Sequence, residues 1–301
     1  MISAHNLTKY YGRLKAVDKI NFNVDSGEIV GFLGPNGAGK TTTMQILTGY
    51  LAPTDGEAYI SGLNIQENPL EVKQLIGYLP ENNPLYSDMF VFDYLIFISQ
   101  LKDIPSHKRK KRILDVSEVC SITDILNRKI EQLSKGYRQR VGLAASIIGD
   151  PDILILDEPT VGLDPNQIIE IRNLIKRLGS EKTIILSTHI LQEVEQTCNR
   201  VLIINNGKII KDSQLDKLIK ETNQFIIETE PKIGRNILDQ IGKVKKEKGN
   251  RFVIESDSDI RRKLSEICLQ NKILILELTQ YKKSLEDVFK ELTQEDINEN
   301  L

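Results

Sequence analysis

The sequence predicts an α/β protein in which a large α/β unit is followed by a small α+β unit. Short apolar runs of strand length, such as 28–33 and 153–156, are typical of strands that are buried on both faces of a sheet. A glycine-rich segment at 34–41 separates the first run from a stretch with helical spacing, in the order strand, loop, helix. A hairpin turn at 205–207 precedes a change of pattern, after which short strands and helices alternate.

The glycine-rich segment reads Gly-Pro-Asn-Gly-Ala-Gly-Lys-Thr and has the form G-x-x-x-x-G-K-[ST]. Its glycines allow several backbone N–H groups to approach a polyphosphate closely, and the helix that follows adds its positive N-terminal end. Lys40 can reach the β- and γ-phosphates, and the Thr41 hydroxyl suits a bridging Mg²⁺. A glycine-rich turn without a ligand is the alternative, which the flanking strand and helix disfavour. The predicted triphosphate-binding residues are Gly34, Pro35, Asn36, Gly37, Ala38, Gly39, Lys40, Thr41 and Thr42.

A pair of carboxylates follows the apolar run 153–156. Asp157 and Glu158 are expected at the carboxyl end of a buried strand, the edge at which open α/β sheets bind ligands. Asp157 suits a magnesium contact, and Glu158 is placed to polarise an attacking water. An acidic pair after a strand is more often a solvated turn, but its combination with the phosphate loop favours the site.

The segment 133–148 is predicted to be a helix that begins near Ser134 and ends at Gly149. Ser134 and Gly136 at its start offer a second anion site, although an ordinary helix start explains this segment equally well when it is considered alone.

Composition narrows the classes of partner. The 301 residues include 40 basic and 42 acidic side chains, so no global field favours nucleic acid or an anionic membrane. The three cysteines lie far apart without C-x-x-C spacing, which argues against a zinc site or a disulfide framework and fits a reducing compartment. No apolar stretch is long enough to span a bilayer and the N-terminus lacks a signal-peptide pattern, so we expect membrane association only through a partner.

The order of these segments resembles the nucleotide-binding domain of ATP-binding cassette (ABC) transporters over about the first 215 residues. The resemblance implies a P-loop NTPase fold, with a mixed sheet, helices on both sides and a helical subdomain at about 82–148. The matching segments are the phosphate loop 34–41, the signature-like Leu133-Ser-Lys-Gly-Tyr137, the strand and acidic pair 153–158, the D-loop-like Gly162-Leu-Asp-Pro165, and Leu186-Ser-Thr-His189.

The resemblance implies ATP and Mg²⁺ as cofactors and a head-to-tail dimer. Ser134 and Gly136 of one protomer would contact the γ-phosphate of the ATP held by the phosphate loop of the other. Glu158 would be the general base, His189 would contact the γ-phosphate and position the water, and Tyr11 would stack on adenine. Thr41 and Asp157 would hold the metal.

Two segments depart from the family pattern. Glu81, in Gly77-Tyr-Leu-Pro-Glu81, stands where the family has glutamine, and as a carboxylate it remains able to bind Mg²⁺ and to take part in catalysis. The signature has Lys135 and Tyr137 in place of glycine and glutamine, while the residues expected to contact phosphate are kept. We therefore expect hydrolysis to be retained.

Residues 82–148 correspond to the helical subdomain, whose groove receives a membrane subunit in the family. The expected contact edge is 82–90, where Tyr86 and Phe90 either form a docking surface or simply pack the subdomain. The basic run 108–112 is interpreted as a solvated helix face and not as a nucleic-acid site.

Residues 216–301 are predicted to form a separate unit with the order β-α-β-β-α-β, which suggests a ferredoxin-like sandwich, followed by a helix at 284–292. The run Leu285-Glu-Asp-Val-Phe289 resembles the tail of exporter-type cassette ATPases. Nothing in this unit indicates catalysis, and a regulatory or dimer-supporting role is the hypothesis.

Taken together, the sequence predicts a cytoplasmic ATPase subunit, peripheral on the inner face of the cell membrane through a separate integral membrane permease. It would act as a homodimer, or as a heterodimer with a related ATPase, and would power export. Within the family, 77–86 and 133–137 resemble the ATPase of gliding-motility transporters. The alternatives are a soluble ABC-type ATPase and a nucleotide sensor that is not coupled to transport. The permease selects the substrate, so this chain does not reveal it.

Overall fold

The computed structural model describes residues 2–219, 221–282 and 284–299. The chain divides into two compact units, residues 1–215 and 216–301.

The first unit is built on a six-stranded mixed sheet whose strand order is β10-β9-β3-β8-β7-β6. Its strands are parallel except β10, which pairs antiparallel with β9 through the predicted hairpin turn. A separate four-stranded antiparallel sheet has the order β2-β1-β4-β5. The strands of the unit are β1 (Ile2–Tyr11), β2 (Leu14–Val24), β3 (Ile29–Leu33), β4 (Asp55–Ile60), β5 (Leu63–Asn64), β6 (Ile76–Leu79), β7 (Ile153–Asp157), β8 (Thr183–Thr188), β9 (Arg200–Asn205) and β10 (Lys208–Gln214).

The central strands β3, β7 and β8 are buried along their whole length, because apolar clusters pack on the sheet from both sides. Their register pairs Asp157 with Ser187 and Leu33 with Thr188, so these strands end at the same edge. The predicted α/β class is confirmed. The separate antiparallel sheet was not predicted.

The helices of the first unit follow the predicted patterns with some changes. Ser134 is the N-cap of α5, as predicted, and its hydroxyl accepts a hydrogen bond from Tyr137 N. The apolar spacing of 122–126 predicts a further helical stretch, which in the structure is only the 3₁₀ turn Thr123–Ile125. The helices are α1 (Lys40–Leu47), α2 (Pro69–Leu75), α3 (Val91–Leu101), α4 (Ser106–Val119), α5 (Lys135–Ile147), α6 (Pro165–Gly179) and α7 (Leu191–Thr197), followed by the short α8 (Leu215–Leu218) at the unit boundary.

The second unit has the predicted element order, and its antiparallel sheet has the strand order β12-β13-β11-β14 of a ferredoxin-like sandwich. Phe225, Phe252 and Leu264 belong to its apolar core. The segment 234–241, whose pattern predicts the first helix of this unit, forms only the one-turn helix Arg235–Leu238. The elements are β11 (Glu221–Glu230), α9 (Arg235–Leu238), β12 (Lys243–Lys248), β13 (Arg251–Glu255), α10 (Arg261–Gln270), β14 (Leu274–Lys282) and α11 (Leu285–Glu299).

Candidate functional site

The glycine-rich loop joins the end of β3 to the start of α1, at the edge where the parallel strands end. Gly39 has φ of +106°, and a Cβ there would lie 2.4 Å from the carbonyl oxygen of Ala16. Gly34 approaches Ile204 so closely that a Cβ would lie 2.3 Å from its carbonyl oxygen. Only glycine fits both positions, and the loop is therefore held closely against β2 and β9.

Lys40 lies at the first position of α1 and is almost fully buried. Its ammonium donates hydrogen bonds to the carbonyl oxygens of Gly34 (2.9 Å) and Pro35 (3.2 Å). It also lies 3.3 Å from Glu158 Oε1. The loop, the lysine and the carboxylate after β7 thus form one connected network.

Asp157 ends β7 and is completely buried. Its Oδ1 accepts hydrogen bonds from the hydroxyls of Ser187 and, at 3.3 Å, Thr41, whereas its Oδ2 has no hydrogen-bond partner among the described residues. Burial is the main cause that raises the pKa of this carboxyl above its usual range. An unpartnered carboxylate oxygen beside a threonine hydroxyl is a donor set that Mg²⁺ prefers, so these residues fit the metal.

Glu158 is a non-glycine residue in the left-handed region, with φ of +48°. Its backbone N–H donates to Ser187 O (3.1 Å) and Ser187 Oγ (3.1 Å), which holds this conformation. The carboxylate is buried, with Oε2 lying 2.9 Å from His189 Nδ1. The histidine ring itself is 39% exposed. Glu158 therefore connects Lys40 to His189.

A cavity of about 460 Å³ opens beside this network. It brings together Glu81, Glu158, His189, Tyr11 and most of the predicted phosphate loop, which lie far apart in the sequence. Glu81 is exposed there, and its charge contributes to the raised pKa of Asp157. The lining residues are Tyr11, Leu14, Ala16, Asn36, Gly37, Gly39, Lys40, Thr41, Thr42, Glu81, Glu158, Val161 and His189.

Some predicted residues do not line this cavity. The carbonyl oxygens of Gly34 and Pro35 accept hydrogen bonds from Lys40. Ala38 is buried in the core. Asp157 is also buried and accepts a hydrogen bond from Thr41, which itself lines the cavity. Leu14, Ala16 and Val161 line the cavity but were not predicted, because no motif marks them. Ser187 was also missed, although its position directly before Thr188 and His189 at a strand end was an available signal.

Ser134 and Gly136 lie in a different cavity, of about 440 Å³, between α5 and α6. Gly136 packs against the side chain of Gln167, and the Lys135 ammonium lies against Gly162, where a Cβ would be 2.1 Å from its Nζ. In this chain, the start of α5 does not line the cavity of the phosphate loop.

None of the helices that the structure describes combines the length and apolar character needed to cross a bilayer.

Comparison with known proteins places these observations in a family. The model of the ABC transporter family matches residues 17–161. The chain is 35% identical to the bacitracin transport ATP-binding protein BcrA of Bacillus licheniformis, over 97% of each chain, and 33% identical to the uncharacterized ABC transporter ATP-binding protein YxlF of Bacillus subtilis, over 96% of this chain and 98% of the relative. The chain belongs to the ATP-binding proteins of ABC transporters.

A solved structure supports the same assignment. The dimeric, post-hydrolysis structure of the ATP-binding cassette MJ0796 with ADP and Pi matches with a TM-score of 0.65 and 26% identity, over 71% of this chain and 99% of that one. The protein is an ATP-hydrolysing, ATP-binding subunit of an ABC transporter. The narrower resemblance to gliding-motility transporters is not shown by these relatives and stays a prediction.

Proposed function

We propose that two copies of this chain, or this chain and a related ATPase, enclose ATP between the phosphate-loop cavity of one protomer and the start of α5 in the other. The observation that carries this proposal is the separation of the two predicted phosphate-contacting groups. Lys40 and Thr41 line one cavity, and Ser134 and Gly136 line another. The similar cassette MJ0796 is dimeric with ADP and Pi bound, which supports a dimer.

Hydrolysis would proceed by attack of water on the γ-phosphorus, with Glu158 accepting the water proton. The new P–O bond replaces the bond to the β–γ bridging oxygen, and ADP leaves with the electron pair. Lys40 stabilises the charge on the transferred group, and His189 holds the carboxylate and water in position, which its contact with Glu158 supports. Bound Mg²⁺, held by Thr41 and Asp157 with Glu81 nearby, would neutralise charge on the β- and γ-oxygens.

The adenine would lie on Tyr11. This ring ends β1, lines the phosphate-loop cavity and is 47% exposed, so one face is open to a base. A Lys9 ammonium lies 5.7 Å from the ring centroid. Stacking on an aromatic ring favours any planar base, because it does not read the hydrogen-bonding groups on the edge of the base. We therefore propose that Tyr11 contributes to nucleotide affinity and not to discrimination between bases.

The partner would be an integral membrane permease, which would hold this chain on the cytoplasmic face of the membrane and export the substrate. The contact edge 82–90 supports this docking, because Tyr86 and Phe90 are 53% and 43% exposed. Tyr86 also packs edge-on against Tyr94 and Phe97, so the ring is fixed where it protrudes. Export is supported by the exporter-like run 285–289, and a role in transport is supported by the relative that is named for bacitracin transport.

The second unit, residues 216–301, would regulate this cycle or support the dimer. The described residues that line the two cavities all belong to the first unit, and the strand order of the second unit is that of a ferredoxin-like sandwich. Deleting residues 216–301 tests the role. Unchanged ATPase rate, dimerisation and transport in the deleted chain would refute it.

The decisive experiment is the Glu158→Gln substitution in the full chain. We expect ATP affinity to be retained, turnover to fall by about 10²–10⁴-fold, and an ATP-dependent dimer to accumulate in light scattering. A chain that binds ATP and hydrolyses it without dimerising would point to a soluble ATPase with a different cycle, and binding without any hydrolysis in the parent would point to a sensor. Parental turnover in Glu158→Gln would show that the base is another residue.

A further inference from the structure

Glu193 is a carboxylate that the chemistry above does not use. It lies on α7 and is only 4% exposed, although ionised side chains are rarely buried without a partner. Within the described ranges, no basic side chain forms an ion pair with it. Its partners are hydroxyl groups.

Each carboxylate oxygen of Glu193 accepts one of these hydroxyls. Thr160 Oγ1 donates to Oε1, and Thr188 Oγ1 donates to Oε2 at 2.8 Å. Both threonine residues are themselves buried, with at most 5% exposure. Thr188 Oγ1 in turn accepts a hydrogen bond from Ile190 N at 3.1 Å. This bond spans His189 and restrains the backbone at that residue.

The two threonines belong to the two segments that carry the reacting side chains. Thr160 lies two residues after Glu158, and Thr188 lies directly before His189. Glu158 Oε2 and His189 Nδ1 are 2.9 Å apart, although the residues are separated by 31 positions in the sequence. One buried carboxylate thus ties together the backbones on which this contact depends.

We propose that Glu193 is a positioning residue of the ATPase site, which sets the distance between Glu158 and His189 by holding Thr160 and Thr188. The inference rests on the proposed roles of Glu158 and His189. A carboxylate suits this task because both of its oxygens accept hydrogen bonds, so that neither threonine hydroxyl must compete for an acceptor. A glutamine offers only one oxygen, and its NH₂ group cannot accept from the second hydroxyl.

The test is steady-state ATP hydrolysis by full-length Glu193→Gln. We expect kcat to fall by about ten- to hundredfold, because a small misplacement of reacting groups lowers the rate while ATP is still bound. KM for ATP should stay within about twofold, since Glu193 does not line the nucleotide cavity. Glu195→Gln, at an exposed carboxylate on the same helix, is the matched control and should keep the parental kcat.

Thr160→Val is a second, nearly isosteric variant that removes one hydroxyl and leaves the carboxylate. It should also lower kcat and leave KM nearly unchanged. In the double variant with Glu193→Gln, the loss in kcat should be smaller than the product of the two single losses, since both substitutions break the same hydrogen bond between Thr160 and Glu193. If Glu193→Gln does not fold, Thr160→Val alone tests the inference, which then requires a lowered kcat with a KM for ATP within about twofold of the parent.

Parental kcat in a folded Glu193→Gln chain, or equal losses in kcat and in ATP affinity, would overturn the inference. Glu158→Gln, measured in parallel, separates this failure from that of the proposed function. If Glu158→Gln is inactive and Glu193→Gln is normal, only the positioning role is wrong. If Glu158→Gln turns over normally, the proposed site itself is wrong.

Discussion

The two units differ in whether their charged side chains are buried or exposed. In the first unit, Lys40, Asp157, Glu158 and Glu193 are all nearly inaccessible to solvent. In the second unit, Thr229 is the only buried polar residue among those described, and the ion pairs lie on partly exposed side chains such as Lys232 and Glu247.

This difference supports placing the proposed chemistry in the first unit. Burying a charge is unfavourable unless partners compensate for it, so a cluster of buried charges persists where a ligand or reaction requires it. Exposed ion pairs contribute about 0–1 kcal/mol each and do not need a functional reason. The regulatory or dimer-supporting role proposed for the second unit does not require buried charge.

The largest effect that would test this contrast is expected from Lys40→Met. The variant loses the ammonium that we propose faces the triphosphate, and ATP affinity should fall by about ten- to hundredfold, because hydrogen bonds to charged groups contribute about 1.5–3 kcal/mol. It also leaves the buried Glu158 without its basic partner, which should lower the melting temperature. Titration with a fluorescent ATP analogue and thermal unfolding measure the two effects. Lys182→Met, at a lysine that pairs with Asp150 and lines neither cavity, is the control and should keep the parental ATP affinity.

A smaller effect is expected from Ser134→Ala. This residue lies outside the phosphate-loop cavity, so ATP binding by the single chain should stay within about twofold, while kcat should fall by about tenfold through loss of one charge-assisted hydrogen bond across the dimer. Introducing the change into Glu158→Gln should weaken the ATP-dependent dimer in light scattering. If Ser134→Ala instead weakened ATP binding to the single chain, the two cavities would not be independent.

These effects also show what the sequence could and could not predict. Local patterns in the sequence mark the apolar runs of β3, β7 and β8 and the glycine-rich loop that follows β3. The α/β class and the phosphate loop were therefore predictable. The antiparallel sheet of β1, β2, β4 and β5 was not, because its alternating strands pair across long separations such as Ile2 with Ile60. Glu193 was missed for the same reason, because it accepts a hydrogen bond from Thr160, 33 residues earlier, and no local spacing records that contact. Ser187 could have been singled out by its position before Thr188 and His189, but its contact with Glu158 N, 29 residues away, could not.

A third prediction concerns the cost of burying Asp157. Because its pKa is raised in the folded chain, the folded state binds this proton more tightly than the unfolded state does. Protonated Asp157 stabilises the folded state below the ordinary pKa of aspartate, and this stabilisation is lost as pH rises through the raised pKa of the folded chain. At pH 7 the ionised, buried carboxylate therefore lowers the free energy of unfolding. In the absence of Mg²⁺ and ATP, Asp157→Asn should therefore melt a few degrees higher than the parent at pH 7, and the difference should shrink toward pH 4.

Magnesium and ATP should reverse that order. The parent gains stability from the bound metal and nucleotide, whereas Asp157→Asn has lost the charge that attracts the cation. Scanning fluorimetry with and without Mg²⁺ and ATP at both pH values gives the four required melting temperatures. A parent that is more stable than Asp157→Asn at pH 7 without ligand would show that another group compensates the buried charge.

The smallest effect on the nucleotide site is expected from a cavity in the second unit. Leu264→Ala removes a fully buried side chain from α10 and should destabilise that unit by about 2–5 kcal/mol. Since the described residues that line the nucleotide cavity all belong to the first unit, the Kd for ATP should change by less than about twofold. Leu154→Ala, an equally buried leucine in β7, is the matched control and should weaken both folding and ATP binding, because it lies three residues before Asp157. Loss of ATP binding in Leu264→Ala would mean that the two units fold as one cooperative structure, and that the contrast in buried charge does not separate their roles.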